Sequence, residues 1–266
     1  MIPIASFDDP RVALYRNLKD RELAREGGRF MAEGEFILKR LLASDFPVES
    51  VLLEERRAPE FAPLVPPGVP VYVAPRSVFR HIVGHKFQSG ILAVGRRKPF
   101  LTVDQLVERS GERSTLVICP EIASVENIGS LIRIAAAFGA DGMLLGERCH
   151  DPFWRQSVRV SMGTLFKLPL GRSGHILSDL TRLRETWGYE LIATVLDPDA
   201  EPLETATRGP RVGILFGNEA QGLDPASIAA CDRRVTIRMK EGIDSLNVAV
   251  AAGIFLYHFT RAALDA

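Results

Sequence analysis

Apolar residues recur along this chain in two rhythms, and the change between them falls near residue 100. Before it the apolar runs are short and unevenly spaced. Residues 48–53, 69–73 and 91–94 have the look of strands, and residues 36–42 and 77–82 carry helical spacing. Pro59, Pro63, Pro66, Pro67 and Gly68 mark the loop between the first two strands. Ahead of them, residues 12–26 alternate basic and acidic side chains, with Leu14, Leu18 and Leu23 spaced for one face; this predicts a charged amphipathic helix. Together these features predict a small α/β module over residues 1–100. Residues 101–112 read as a linker, because Pro99 stops a strand and Ser110-Gly111 is a turn signal. The basic triplet Arg96-Arg97-Lys98 then serves to keep that linker solvated.

From Thr115 the alternation becomes regular. Strand-like runs at 116–119, 142–145, 191–195, 212–216 and 235–237 are separated by helical patterns at 128–138, 153–160 and 176–187. Continuous apolar strands between helices predict a parallel sheet covered on both faces, here within a second domain spanning 113–266. In such sheets ligands gather at the carboxyl ends of the strands. The last element departs from the pattern. From 248 to 257 every residue is apolar or glycine, whereas a helix packed on one side shows polar residues at each turn. This predicts a helix buried nearly all round, inside its own domain and against a second subunit, with Asp244 or Ser245 as its N-cap. The run is too short to span a bilayer, which needs roughly 20 residues.

Composition narrows the picture further. At 46% hydrophobic and 25% charged, with 33 Lys+Arg balancing 33 Asp+Glu, the chain has the make-up of an ordinary soluble globular protein. Contact with nucleic acid must therefore come from local basic patches rather than the overall field. Arg16, Lys19, Arg21 and Arg25 form one such patch, residues 155–172 another; the alternative in each case is a solvated face. Cys119, Cys149 and Cys231 are odd in number and far apart, which fits buried thiols in a reducing cytoplasm. The opening residues show neither a charged n-region nor an apolar h-region, so no export signal is expected. His81 and His85 lack acidic or Cys neighbours at ligand spacing, and no metal site is expected.

Three segments carry candidate chemistry, each just after a predicted strand. The first, Glu126-Asn-Ile-Gly-Ser-Leu-Ile-Arg133, opens a helix with Ile128, Leu131, Ile132 and Ala135 on one arc and Arg133 off it. An Arg on the first turns of a helix opposes the dipole; a bidentate carboxylate or phosphate partner would explain it, and a plain surface Arg is the alternative. The second, Gly217-Asn-Glu-Ala-Gln-Gly-Leu223, lets a ligand approach the backbone at Gly217 and offers Glu219 as a carboxylate to hold Arg133. It is neither a phosphate loop nor a dinucleotide fingerprint. The third is Ser245-Leu-Asn247, polar groups at the mouth of the apolar helix, where they need partners.

Taken together, Asn127-x-Gly129-x-x-x-Arg133, Gly217-Asn218-Glu219-x-x-Gly222-Leu223, and Ile237-x-Met239 followed by Ser245-Leu246-Asn247-Val248 resemble the three motifs of the SpoU/TrmH branch of the SPOUT RNA methyltransferases. Val160-Ser-Met-Gly-Thr-Leu-Phe-Lys-Leu-Pro169 is similar to the segment between the first two motifs. The stretch around Glu33-Gly34 is similar to the ribosomal-protein-like substrate-binding domain that many members carry in front. Two departures, Val125 for a usual Pro and Arg238 in the usual Ile-Pro-Met, bear on loop stiffness and cofactor affinity.

The resemblance implies an α/β fold with a knotted C-terminal parallel-sheet domain, a homodimer with active sites at the subunit interface, and methyl transfer from S-adenosylmethionine to a ribose 2′-hydroxyl in RNA, rRNA ahead of tRNA. It implies cofactor binding by Thr194, Gly217, Ile237, Met239 and Leu246. It places Arg133 toward the target nucleotide, its guanidinium fixed by Glu219, with Asn127, Ser245 and Asn247 orienting these groups. A guanidinium is too weak a base to take the hydroxyl proton, so Arg133 is expected to bind phosphate and stabilise the developing alkoxide. The competing readings are an RNA-binding paralogue without activity and a methyltransferase acting on a base.

Overall fold

The structure, a computed structural model, describes residues 1–16, 23, 28–83, 89–240 and 245–264, with side chains up to residue 260. The chain forms two compact units. One comprises residues 1–99 with 152–166, the other residues 100–151 with 167–266.

The first unit is built on strands β1 (Ile2–Pro3), β2 (Arg29–Glu33), β3 (Val48–Glu54), β4 (Val71–Ala74) and β5 (Ile91–Arg96), in the order β1-β4-β3-β5-β2. The first three in that order run parallel, and β5 is antiparallel to β3 and β2. Strand β2 has no alternation in sequence because both its faces are covered. Met31 joins Leu52 and Leu92 in one core, while Phe30 meets Phe46, Phe153 and Phe166 with ring centroids 5.4–6.1 Å apart. That aromatic cluster and the Arg155–Val160 helix bring residues 152–166 into this unit, a correction to the expectation that they fold with the C-terminal domain.

The basic triplet is corrected too: Arg96 pairs with Glu49, Lys98 with Asp45, and Arg97 donates to the Arg29 carbonyl at 3.1 Å, so these side chains are tied to other residues of their own unit. Of the charged helix expected over 12–26, a 3-10 turn at Pro10–Tyr15 is seen, burying Val12 and Tyr15. Lys19, Arg21 and Arg25 lie outside the described residues, as does His85.

The second unit carries strands β6 (Ser114–Cys119), β7 (Gly142–Leu145), β8 (Leu170–Arg172), β9 (Glu190–Thr194), β10 (Glu201–Pro202), β11 (Arg211–Leu215) and β12 (Arg233–Thr236), in the order β10-β12-β9-β11-β6-β7-β8. Every pairing among them is parallel. All six residues of β6 are buried, as a strand covered on both faces requires. Leu116 and Ile118 share a core with Leu106, Leu180 and Leu183, each such side chain contributing about 1.5–3 kcal/mol on burial.

The stretch expected as a linker is part of this core. Thr102 and Gln105 form a capping box that starts the Val103–Glu108 helix, and Val103, Leu106 and Val107 are buried. Their spacing of three and four is that of one helix face, and Pro99 precedes the helix rather than opening a linker.

The Val125–Ala137 helix buries Ile128, Leu131, Ile132 and Ala135, the predicted arc, and packs against the final helix, Val248–Leu264. In the single chain the final helix is not buried all round. Ala252, Phe255, Leu256 and Phe259 are inside, whereas Val250 (52%), Ile254 (40%) and Tyr257 (56%) form an exposed stripe. Among the described residues no helix is long and apolar enough to cross a membrane, and no group of three or more His, Cys, Asp or Glu is placed to hold a metal ion.

Candidate active site

The carboxyl ends of β9, β11 and β12 open onto a cleft of about 720 Å³, within the range of small-molecule sites. Thr194 ends β9 and lines it; its hydroxyl donates to the Leu215 carbonyl at 2.8 Å, which ties β9 to β11. After β11 the chain folds back on itself, with Asn218 and Gly222 exchanging backbone hydrogen bonds of 2.9 and 2.8 Å. Only glycine fits at 217, since a Cβ there would stand 2.2 Å from the backbone of Gly222 and Leu223. Ile237, Met239 and Leu246 also line the cleft, as do Asn127, Glu219, Ser245 and Asn247. Arg238 points out to solvent. Of the candidate site residues, Arg133 alone does not line it.

Three of the cleft side chains, one from each motif segment, form one hydrogen-bonded chain. Asn247 Nδ2 donates to Asn127 Oδ1 at 3.1 Å, and Asn127 Nδ2 donates to Glu219 Oε1 at 2.8 Å. The Asn247 Oδ1 accepts from the backbone N–H groups of Ala249 and Val250, so Asn247 caps the final helix. This corrects the N-cap expectation: Ser245 lies two residues too early, and Asp244 is outside the described residues. With one end fixed by a helix terminus, every amide in the chain has a single workable orientation.

Glu219 is the acceptor at the other end. Its carboxylate takes the backbone N–H of Ser124 at 3.0 Å and of Ala123 at 3.3 Å, in addition to Asn127. Burial alone would raise the carboxyl's pKa; donors from Asn127, the Glu219 backbone, Ser124 and Ala123 outweigh it and hold the group below its ordinary value. The expected Glu219–Arg133 pair is therefore replaced. Free N–H groups where a helix begins attract an acceptor. Arg133 is six residues beyond Asn127, about 9 Å along the axis and roughly 120° around it by helical geometry. It is exposed and makes no hydrogen bond or ion pair among the described residues.

Sequence reasoning missed Leu196, Asp197, Arg234 and Phe255, which also line the cleft. The available signal was position: Leu196 and Asp197 follow the end of β9, where ligands collect.

The cleft offers an apolar floor from Phe216, Ile237 and Met239, exposed backbone around Gly217, and polar groups at its rim. That donor set fits an adenosine bearing a small amino acid. Comparison with known proteins agrees. The sequence model of the SpoU rRNA Methylase family matches residues 114–257. A Mycobacterium bovis protein named as an uncharacterized tRNA/rRNA methyltransferase is 36% identical over 262 residues, covering 96% of this chain and 90% of its own. The Bacillus subtilis 23S rRNA (guanosine(2553)-2′-O)-methyltransferase is 25% identical over 259 residues, covering 97% and 99%.

Among solved structures, an AdoMet-bound rRNA methyltransferase from Sinorhizobium meliloti superposes with a TM-score of 0.84 at 26% identity, covering 98% of each chain. The SpoU methyltransferase AviRb from Streptomyces viridochromogenes, in complex with AdoMet, gives 0.79 at 26% identity, covering 97% of this chain and 100% of that one. Fold, motif order and both comparisons converge: this chain belongs to the SpoU rRNA methylase family of RNA methyltransferases.

Proposed function

We propose that this protein transfers a methyl group from S-adenosylmethionine to a ribose 2′-hydroxyl of ribosomal RNA, as a cytoplasmic homodimer with a knotted C-terminal domain, residues 1–99 helping to hold the RNA. The observation that carries this reading is the Asn247–Asn127–Glu219 chain, which draws the three motif segments together around one cleft. The cofactor supplies an electrophilic methyl on a sulfonium. The protein's part is to fix positions and to stabilise charge on the attacking oxygen. Gly217, Thr194, Ile237, Met239 and Leu246 form the walls that seat the cofactor. Ser245 and the locked amides of Asn127 and Asn247 present hydrogen-bonding groups to the incoming sugar.

Arg133 is exposed and does not line the cleft of its own chain, and the exposed stripe Val250, Ile254 and Tyr257 lies on the helix against which its own helix packs. A second copy covering that stripe places Arg133 at the seam, facing the nucleotide held at the partner's cleft. The guanidinium there binds phosphate and steadies the developing alkoxide.

The test is methylation of ribosomal RNA from a strain lacking the gene, with labelled S-adenosylmethionine, followed by digestion to nucleosides. Label on the ribose supports the reading; label on a base points to the base-methylating alternative. Absence of calorimetric heat with S-adenosylmethionine points to a binding paralogue.

A further inference from the structure

The cleft contains one charged pair that none of the three motif segments supplies. Asp197 lies three residues beyond β9, Arg234 lies in β12, the strand paired with β9, and both line the cleft. Arg234 Nη1 donates to Asp197 Oδ2 at 2.8 Å, and the Asp199 backbone N–H donates to Asp197 Oδ1 at 2.9 Å. The carboxylate is thus gripped on both oxygens, yet each oxygen keeps a lone pair for a further donor. Its side chain is 29% exposed, enough to meet a ligand and too little to swing freely.

The strand that this carboxylate follows is informative. Strand β9 lies directly beside β11, the strand that ends in the Gly217 turn. In dinucleotide-binding parallel sheets an acidic side chain about 20 residues past the glycine turn hydrogen-bonds a ribose hydroxyl; the turn here lacks that fingerprint, and the shared feature is a carboxylate beyond the strand beside the glycine turn. The chemistry matches. A vicinal diol offers two O–H donors, and an ionised carboxylate accepts only. Arg234 and the Asp199 N–H aim that carboxylate before the ligand arrives, so little freedom remains to be lost on binding.

We propose that Asp197 recognises the ribose diol of the cofactor's adenosine, with Arg234 as the positioning residue that holds its carboxylate in place. This rests on the reading of the cleft as the S-adenosylmethionine site.

Two probes test it by calorimetry: S-adenosylmethionine, and 5′-methylthioadenosine, which keeps the ribose and lacks the amino acid. Asp197→Ala is expected to weaken both by roughly tenfold, the loss of a hydrogen bond to a charged group. Arg234→Ala is expected to weaken both by a smaller factor, about threefold, with partial recovery in Arg234→Lys. Removing one ribose hydroxyl from methylthioadenosine should cost affinity in the wild type and almost none in Asp197→Ala. Thermal melting accompanies each variant, and Asp197→Asn stands in if the alanine variant does not fold. Unchanged affinity for both probes overturns the proposal. So does a loss confined to S-adenosylmethionine, which would assign Asp197 to the methionine ammonium. A wild type that binds neither probe refutes the cofactor reading of the cleft instead.

Discussion

The two ends of the motif Asn127–Arg133, carried on the Val125–Ala137 helix, are built on opposite terms. At its start, Ser124 caps the Asn127 N–H, Glu219 takes the N–H groups of Ala123 and Ser124, and the Asn127 amide is held by Glu219 on one side and Asn247 on the other. Two turns on, Arg133 is exposed and tied to nothing among the described residues. The first end has met its ordering cost during folding, so the cleft keeps its shape before any ligand enters. The second end keeps its rotamer freedom, and what it binds must order it. A family motif that reads as one unit in sequence therefore contains a fixed part and a waiting part.

The largest effect should come from the waiting part. Arg133→Lys keeps the charge and loses the planar fork, and turnover is expected to fall by about 100-fold or more, with S-adenosylmethionine affinity and melting unchanged. Near-normal turnover would break the assignment of Arg133 to the nucleotide. The seam reading sharpens this further. Mixing Arg133→Ala chains with Asn247→Ala chains, each nearly inactive alone, should restore about a quarter of wild-type activity, since half the dimers carry one intact composite site. If Arg133 serves its own cleft, no recovery occurs.

Asn127→Ala removes the middle of the locked chain. Here a loss of about tenfold in turnover is expected together with about 1 kcal/mol of stability, since Glu219 and Asn247 each lose a partner. An activity loss with no change in melting would show that the chain is not a structural lock.

How far the sequence told this in advance depended on whether the signal was local. The parallel sheet was legible because buried strands leave unbroken apolar runs, and Ile128, Leu131, Ile132 and Ala135 marked their helix face by spacing alone. Short elements were not legible: β8 and β10 have three and two residues, too few to carry a period. The place of residues 152–166 depends on Phe153 and Phe166 meeting Phe30 and Phe46, a long-range contact that no window of sequence contains.

In the site, the glycine turn and the two asparagines were legible as motif residues, yet the partner of Glu219 was not. Charge complementarity suggested Arg133; the actual competitors were backbone N–H groups, which every residue but proline carries and which sequence therefore cannot single out. Asp197 and Arg234 were missed for a related reason, since their pairing depends on β12 lying next to β9.

The smallest expected effect separates the two ends of the motif by pH. The Glu219 carboxyl is held below its ordinary 4.5 by the donors around it, against the opposing effect of burial. A carboxyl lowered in the folded state contributes stability that is present in full above its unfolded value and is lost as pH falls through the folded one. Glu219→Gln removes the charge while keeping the shape, and its amide nitrogen meets an N–H donor where the second carboxylate oxygen had accepted one. Melting scans from pH 7 to pH 3 should therefore show the wild type above Glu219→Gln at neutral pH, with the gap closing below about 4.5 as the wild-type carboxyl takes up its proton. Arg133→Gln, at the untied end, should melt like the wild type across the whole range. A gap for Glu219→Gln that stays constant down to pH 3 would mean that its ionised form holds nothing together, and the contrast between the two ends would lose its physical basis.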